Sequence, residues 1–182
     1  AGGVVYASEH GVDQDPATDD TEGVKKTFAA LAAKGGGVAI FPAGIVLLSE
    51  TVELPTNIVT RAAGATSFVA KNVEQDIFTV KNPRLVKNCD FNGGRNGVNI
   101  VGDRQTPTRI AFHNCAFYDQ TENGVKALAG SGQIGEPNLM ELRVQGGIFS
   151  STKALTVNVA RSQLNSFWAQ NDPHLNDAAF IS

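Results

Sequence analysis

Clustered positive charge is the first thing missing. The 182-residue chain carries 15 Lys and Arg against 18 Asp and Glu, a formal charge of −3. That argues against a nucleic-acid surface, because phosphate binding needs grouped cations. No run of about 18 apolar residues occurs, so no membrane span is expected. Aromatic residues are scarce at 7%, with one tryptophan and two tyrosines, whereas there are 19 glycines. Such a balance suits many short strands joined by tight turns. Histidine and cysteine number only three and two, and two thiols do not settle the redox compartment. The length and ordinary apolar content suffice for one domain with a real core.

What is present is organised around Asp19 to Leu48, DDTEGVKKTFAALAAKGGGVAIFPAGIVLL. Asp19, with Glu22 three residues on, has the spacing of an acidic capping box and predicts a helix start. Val24, Phe28, Leu31 and Ala32 recur at i, i+4, i+7 and i+8, one apolar stripe on a helix. Lys25, Lys26 and Lys34 fall off that stripe, and Lys34 suits the negative end of the helix dipole. Gly35-Gly36-Gly37 predicts the stop, since glycine enters the left-handed region at little cost. Two short apolar strands follow, Val38 to Phe41 and Ile45 to Leu48, around a Pro42-Ala43-Gly44 turn. Before the helix, Val4-Val5-Tyr6 predicts a first strand and Gly11 to Thr18 an acidic loop. A helix with one apolar face ahead of serial short strands has the form of a lid.

The Asp-Asp-Thr start, the amphipathic helix and the Gly-Gly-Gly-Val-x-x-Phe-Pro-Ala-Gly run resemble the amino-terminal signature of pectate-lyase-like right-handed parallel β-helices. That superfamily includes polysaccharide lyases, glycoside hydrolases, alginate epimerases and phage tailspikes. Thr51 to Val59, TVELPTNIV, is similar to its strand, Leu-Pro-x-Asn, strand step. The resemblance covers about residues 4–70 and continues beyond as repeat character. It implies an all-β, right-handed parallel β-helix with one amino-terminal capping α-helix. As one domain over 1–182 it would divide into a leading segment (1–18), the helix (19–35) and about seven coils (36–182). Gly23 inside the helix and Ile45-Val46 depart from the pattern.

Repetition is visible in the residues themselves. Aligning Thr66-Ser67-Phe68-Val69, Asn88-Cys89-Asp90-Phe91, Asn114-Cys115-Ala116-Phe117, Gly146-Gly147-Ile148-Phe149 and Asn165-Ser166-Phe167-Trp168 gives steps of 22, 26, 32 and 19 residues. Strand-and-turn units at such periods mean a solenoid. Alternation then places Cys89 with Phe91 and Cys115 with Phe117 on one inward face. The two cysteines are expected to stack as buried free thiols, since parallel Cβ vectors do not converge on a disulfide. Asn88, Asn114 and Asn165 are either separate turn residues or, as in the superfamily, a stacked amide ladder. Second strands are expected at Gly97 to Val101, Gly124 to Leu128, Ala154 to Val159 and Ala178 to Ile181. The widest step holds Ala129 to Asn138, a Gly-rich excursion of the kind that carries function.

Candidate chemistry is sparse. Asp172-Pro173-His174 is similar to the catalytic tripeptide of mannuronan C5-epimerases, which would make Asp172 and His174 catalytic; Asp-Pro is also a common turn opener. The tyrosine that accompanies the tripeptide in those enzymes has no counterpart here, where Ala169 stands three residues before Asp172. Paired carboxylates for glycoside hydrolysis are represented only by Asp19 and Asp20, which the helix start accounts for. A calcium-assisted lyase would draw on Asp90, Asp119, Glu141 and Arg143, which scattered solvated charge explains as well. No specific calcium site stands out, so no metal or other cofactor is assigned. Tyr118, Arg143 and Trp168 are the candidate substrate-binding residues, with Asn92, Arg95 and Gln120 as outward polar groups, because sugars need an aromatic plate and hydrogen-bonding forks.

The resemblance thus implies a polysaccharide-binding or polysaccharide-processing protein, extracellular, on a cell surface or in a virion. The competing class is a non-enzymatic, self-assembling subunit of a virion or surface fibre. Phe180 and Ile181 read as part of a last coil with no cap after it. The expected cover for that end is a homo-oligomeric partner or a continuing chain.

Overall fold

Among the described residues every strand pairing is parallel. The computed structural model describes residues 2–80, 85–100, 108–128, 140–146, 148–150, 153–158, 161–165 and 168–169. Of these, 108–109, 127–128, 140–143, 149, 153–158, 161–165 and 168–169 are described by backbone alone. The strands are β1 (Gly3–Tyr6), β2 (Gly37–Phe41), β3 (Gly44–Leu48), β4 (Val52–Leu54), β5 (Ile58–Ala70), β6 (Phe78–Val80), β7 (Leu85–Asn92) and β8 (Asn96–Ile100). They continue as β9 (Thr108–His113), β10 (Ala116–Tyr118), β11 (Asn123–Leu128), β12 (Met140–Gln145), β13 (Ile148–Ser150), β14 (Lys153–Asn158), β15 (Arg161–Asn165) and β16 (Trp168–Ala169). One α-helix, α1 (Thr21–Ala32), precedes β2.

The chain visits three ranks of strands in turn. The first rank holds β1, β2, the leading parts of β5 and β7, then β9, β12 and β15. In the second lie β3, the trailing parts of β5 and β7, β10, β13 and β16. The third consists of β4, β6, β8, β11 and β14. The first two ranks form one sheet, because β5 and β7 run through the corner between them, and the third is separate. Asparagines turn several corners: Asn57, Asn88 and Asn114 have φ of 62°, 55° and 50°. This left-handed backbone is one that asparagine tolerates better than most residues. Asn88 and Asn114 are exposed, and no side-chain bond links them among the described residues, so these two are separate corner residues; Asn165 ends β15, its side chain outside the described residues.

Alternation fills the interior with phenylalanine. Phe68, Phe91 and Phe117 share one register and stack, with centroids 5.6 and 4.9 Å apart. Phe41 and Phe78 meet Phe68 edge-on, each at 4.9 Å. The helix closes this column as expected of a lid. Val24, Phe28 and Leu31 are buried, and Phe28 lies 5.8 Å from both Phe41 and Phe78. After Ala32 the chain passes Gly35, Gly36 and Gly37 at φ of 76°, 112° and 143°, values that exclude a side chain without strain.

The helix start is built differently from a capping box. Asp20 is the N-cap residue, yet its side chain makes no cap bond. The Asp20 carboxylate instead accepts the backbone N–H of Asp13 at 3.0 Å and of Leu47 at 3.3 Å, tying the acidic loop and β3 together. Asp19 serves the helix, accepting the N–H of Thr21 at 3.1 Å and its hydroxyl at 2.5 Å. The helix is also shorter than 19–35, because the glycines after it already turn out of helical geometry.

Two expected registers are one residue out. Thr66 pairs with Cys89, not Asn88, and Trp168 pairs with Ile148, not Phe149. An irregularity in β5 between Arg61 and Thr66 accounts for the first. A slip of one residue exchanges faces: Thr66 and Phe68 are the inward pair, whereas Ser67 and Val69 are only half-buried. The Thr66 hydroxyl donates to the carbonyl of Pro42 at 2.6 Å. Cys89 and Cys115 are buried free thiols, as expected. Burial pushes both thiols up, Cys115 to about 12. Residues 170–182, with Asp172, His174 and the strand expected at Ala178 to Ile181, lie outside the described residues, as does Ala129 to Asn138.

Candidate binding face on the second rank

The outward side of the second rank carries one of the sugar-contact candidates, Tyr118, in register with Asn92. Phe68, Phe91 and Phe117 point in, so the residues between them face out. One outward row runs Ser67, Asp90, Ala116 and Ile148, and the next runs Val69, Asn92, Tyr118 and Ser150; Trp168 pairs with Ile148 in the register. Tyr118 and Trp168 therefore sit on the same rank, two strand spacings apart, on the order of 10 Å. Tyr118, Asn92 and Asp90 are half-buried, and Ile148 is 37% exposed. Burial pushes the Asp90 carboxyl up from the ordinary aspartate range. This surface offers a phenol, an amide and an acid that keeps its proton to higher pH than a free one. Those groups can bind a hydroxylated ligand and exchange a proton with it.

Other candidates fall elsewhere. Arg143 lies on β12 of the first rank, paired with Ala111 and Gln163, so the register does not place it beside Tyr118. Glu141 shares that strand, while Asp90 and the exposed Asp119 belong to the second rank; the four do not converge on one strand row. Among the described residues no group of three His, Cys, Asp or Glu is placed to hold a metal ion. Gln120 does not face outward. It is buried, and its amide donates to the carbonyls of Phe91 at 3.1 Å and Gly93 at 3.2 Å, closing the corner. Arg95 is committed as well, its guanidinium donating to Asp76 at 3.3 and 3.5 Å.

That last contact belongs to a polar network the sequence analysis did not foresee. Asp76 is 4% exposed and accepts the side-chain amides of Asn96 at 2.7 Å and Asn99 at 2.9 Å. Asn123 donates in turn to Asn96 at 2.8 Å, one coil further on. A signal was available: Asn-Gly-Val occurs at 96–98 and again at 123–125. The glycine is needed because a Cβ on Gly97 would stand 2.6 Å from the Phe117 ring. This network is structural, linking neighbouring strands at the entrance to the third rank.

No protein-family profile and no curated protein matches the chain. Solved structures do resemble it. The ORF18 protein of Geobacillus virus E2 superposes with a TM-score of 0.54 at 17% identity, over 96% of this chain and 44% of that one. A candidate glycosyl hydrolase from Parabacteroides merdae gives 0.50 at 14% identity, over 99% of each chain. The A-module of mannuronan C-5 epimerase AlgE4 from Azotobacter vinelandii gives 0.45 at 14% identity, over 92% of this chain and 70% of that one. The chain thus spans less than half the length of the virus protein. At these identities the likeness is one of fold.

Proposed function

We propose that the chain is a right-handed parallel β-helix, one domain closed by α1, that engages a polysaccharide on the outward face of its second rank. The three ranks visited in turn support the coil, and parallel crossovers are right-handed in about 98% of cases. The observation that carries the functional reading is the shared rank of Asp90, Asn92, Tyr118 and Trp168. Successive coils repeat such rows at about 4.8 Å, which suits a ligand that is itself a repeating chain. The resemblance to a candidate glycosyl hydrolase over nearly its whole length agrees with this class. Should the protein turn its ligand over, Asp90 supplies an acid on that face, and Asp172 and His174 are the epimerase-like pair to substitute.

A second reading, an assembling structural subunit of a virion or surface fibre, is favoured by the fold shared with a virus protein. Binding to immobilised polysaccharides, neutral and acidic, separates the two. The proposal expects retention on at least one glycan and a loss of about tenfold in affinity for Tyr118→Ala, the order of one lost aromatic contact. Retention on none, with defined oligomers in solution, would establish the structural reading instead.

A further inference from the structure

The second rank holds one charged residue. Its strand residues (44–48, 66–70, 89–92, 116–118, 148–150 and 168–169) include a single carboxylate, Asp90, and no lysine, arginine or histidine. Every lysine and arginine of a described strand stands on the first or third rank instead. The chain as a whole is 18% charged, so this face is set apart from the rest of the strands.

Its borders do not make good the missing cations. The corner between the second and third ranks is acidic: among the described residues it holds Glu74, Asp119 and Glu122, all exposed, against Lys71 and Arg95. Arg95 is bound to Asp76 at 3.3 and 3.5 Å. On the opposite border, Lys87 belongs to the outward side of the first rank, beyond the corner at Asn88. Burial pushes the Asp90 carboxyl up, with no neighbouring cation set against it.

What the face offers is apolar surface beside hydrogen-bonding groups. Leu47, Val69, Asn92, Tyr118 and Ser150 form one row in continuous register. Ile45 stands two residues before Leu47 and is 37% exposed. The aliphatic side chains thus lie nearest the lid, and the amide and phenol follow them. A sugar ring presents C–H surface to the first group and hydroxyls to the second. A uronate polymer would bring a carboxylate with each ring and meet Asp90 as its one charged partner. Taking an anion out of water without a cation to receive it is costly, and a like charge beside it adds to the cost.

We propose that the ligand of the second rank is an uncharged polysaccharide, and that the lack of cations turns polyanionic glycans away from this face. The inference rests on the second-rank reading above and adds the charge class of its ligand. It assigns no reaction.

Titration calorimetry of the full chain at neutral pH tests it. Dextran, galactomannan and xylan serve as neutral chains, polygalacturonate and alginate as carboxylated ones, and methyl-esterified polygalacturonate as the matched uncharged form. The tightest ligand is expected to be neutral and to change by less than about twofold in affinity between low and high salt. It is expected to lose about tenfold with Tyr118→Ala; should that variant unfold, Asn92→Ala replaces it with the same expectation. Esterified polygalacturonate is expected to bind at least as well as the charged form. A carboxylated glycan as the tightest ligand, weakened by esterification and by Tyr118→Ala, would overturn the charge class and leave the second-rank reading standing. A neutral ligand that neither variant weakens would remove the face from the account, and binding of no glycan would remove both readings together.

Discussion

Asn123 donates its side-chain amide to Asn96 at 2.8 Å across 27 residues of sequence, and Asn96 passes the bond on to Asp76 at 2.7 Å. All three side chains are buried. Asn96 and Asn123 hold the same position on neighbouring strands, so the ladder fixes how one strand of the third rank sits on the next.

Removing its middle member leaves the groups on both sides short of a partner. Asn96→Ala is expected to destabilise by about 2–4 kcal/mol, the sum of a lost bond to a charged group and a lost bond to a buried amide. Thr121→Ala, at an exposed corner nearby, is expected to stay within about 0.5 kcal/mol. Reversible urea denaturation of the two variants measures the difference; similar midpoints would mean the ladder adds little.

Phe28 fastens the lid. It is 1% exposed and touches the two rings, Phe41 and Phe78, that begin the aromatic column. Phe28→Ala is expected to cost about 3–5 kcal/mol. A change below about 1 kcal/mol in a reversible melt would mean that the helix stands free of the core.

How much of this was legible in the sequence depended on which residue type carried the signal. The lid was legible, because Val24, Phe28 and Leu31 mark a stripe that only a helix produces. The step at Asn57 followed from the resemblance to the Leu-Pro-x-Asn pattern, and the inward placement of Cys89 with Phe91 from alternation. Register failed at Thr66, where the polar residue invited alignment with Asn88, whereas the irregularity in β5 shifts it to Cys89. On the candidate face, the register places Tyr118 and Trp168 on one rank. Gln120 was misplaced because a polar side chain does not reveal its direction: it closes a corner from inside, whereas Arg95 stays partly exposed while it clamps Asp76.

One buried hydroxyl is spare. Thr60 Oγ has no hydrogen-bond partner among the described residues although it is fully buried on the first rank. Thr60→Val keeps the shape and removes the unsatisfied group, so the variant is expected to be more stable by up to about 1 kcal/mol. A loss of more than 1 kcal/mol in urea would show that the hydroxyl is bonded in solution.

Acid titration separates two aspartates of opposite sign. Hydrogen bonds from Ser49 and Thr21 hold Asp19 down at about 2, below the unfolded value of about 3.9. Its contribution is present above pH 4 and is lost as pH falls toward 2. Asp19→Asn should flatten that acid limb. Asp90, raised by burial, has the reverse linkage: its ionisation above pH 4 weakens the fold. Asp90→Asn is therefore expected to gain stability over the wild type as pH rises from 4 to 7 and to match it at pH 3. Parallel stability–pH curves for both variants and the wild type would remove the assignment.

The central claim is that a polysaccharide lies across the outward second rank. Hydroxyl-radical footprinting of the protein with and without a glycan that it retains tests this at residue resolution. The account predicts protection of Tyr118, Ile148 and Trp168 on binding, with Val73, exposed on a loop outside the ranks, unchanged. Binding without protection at Tyr118 or Trp168 would contradict it.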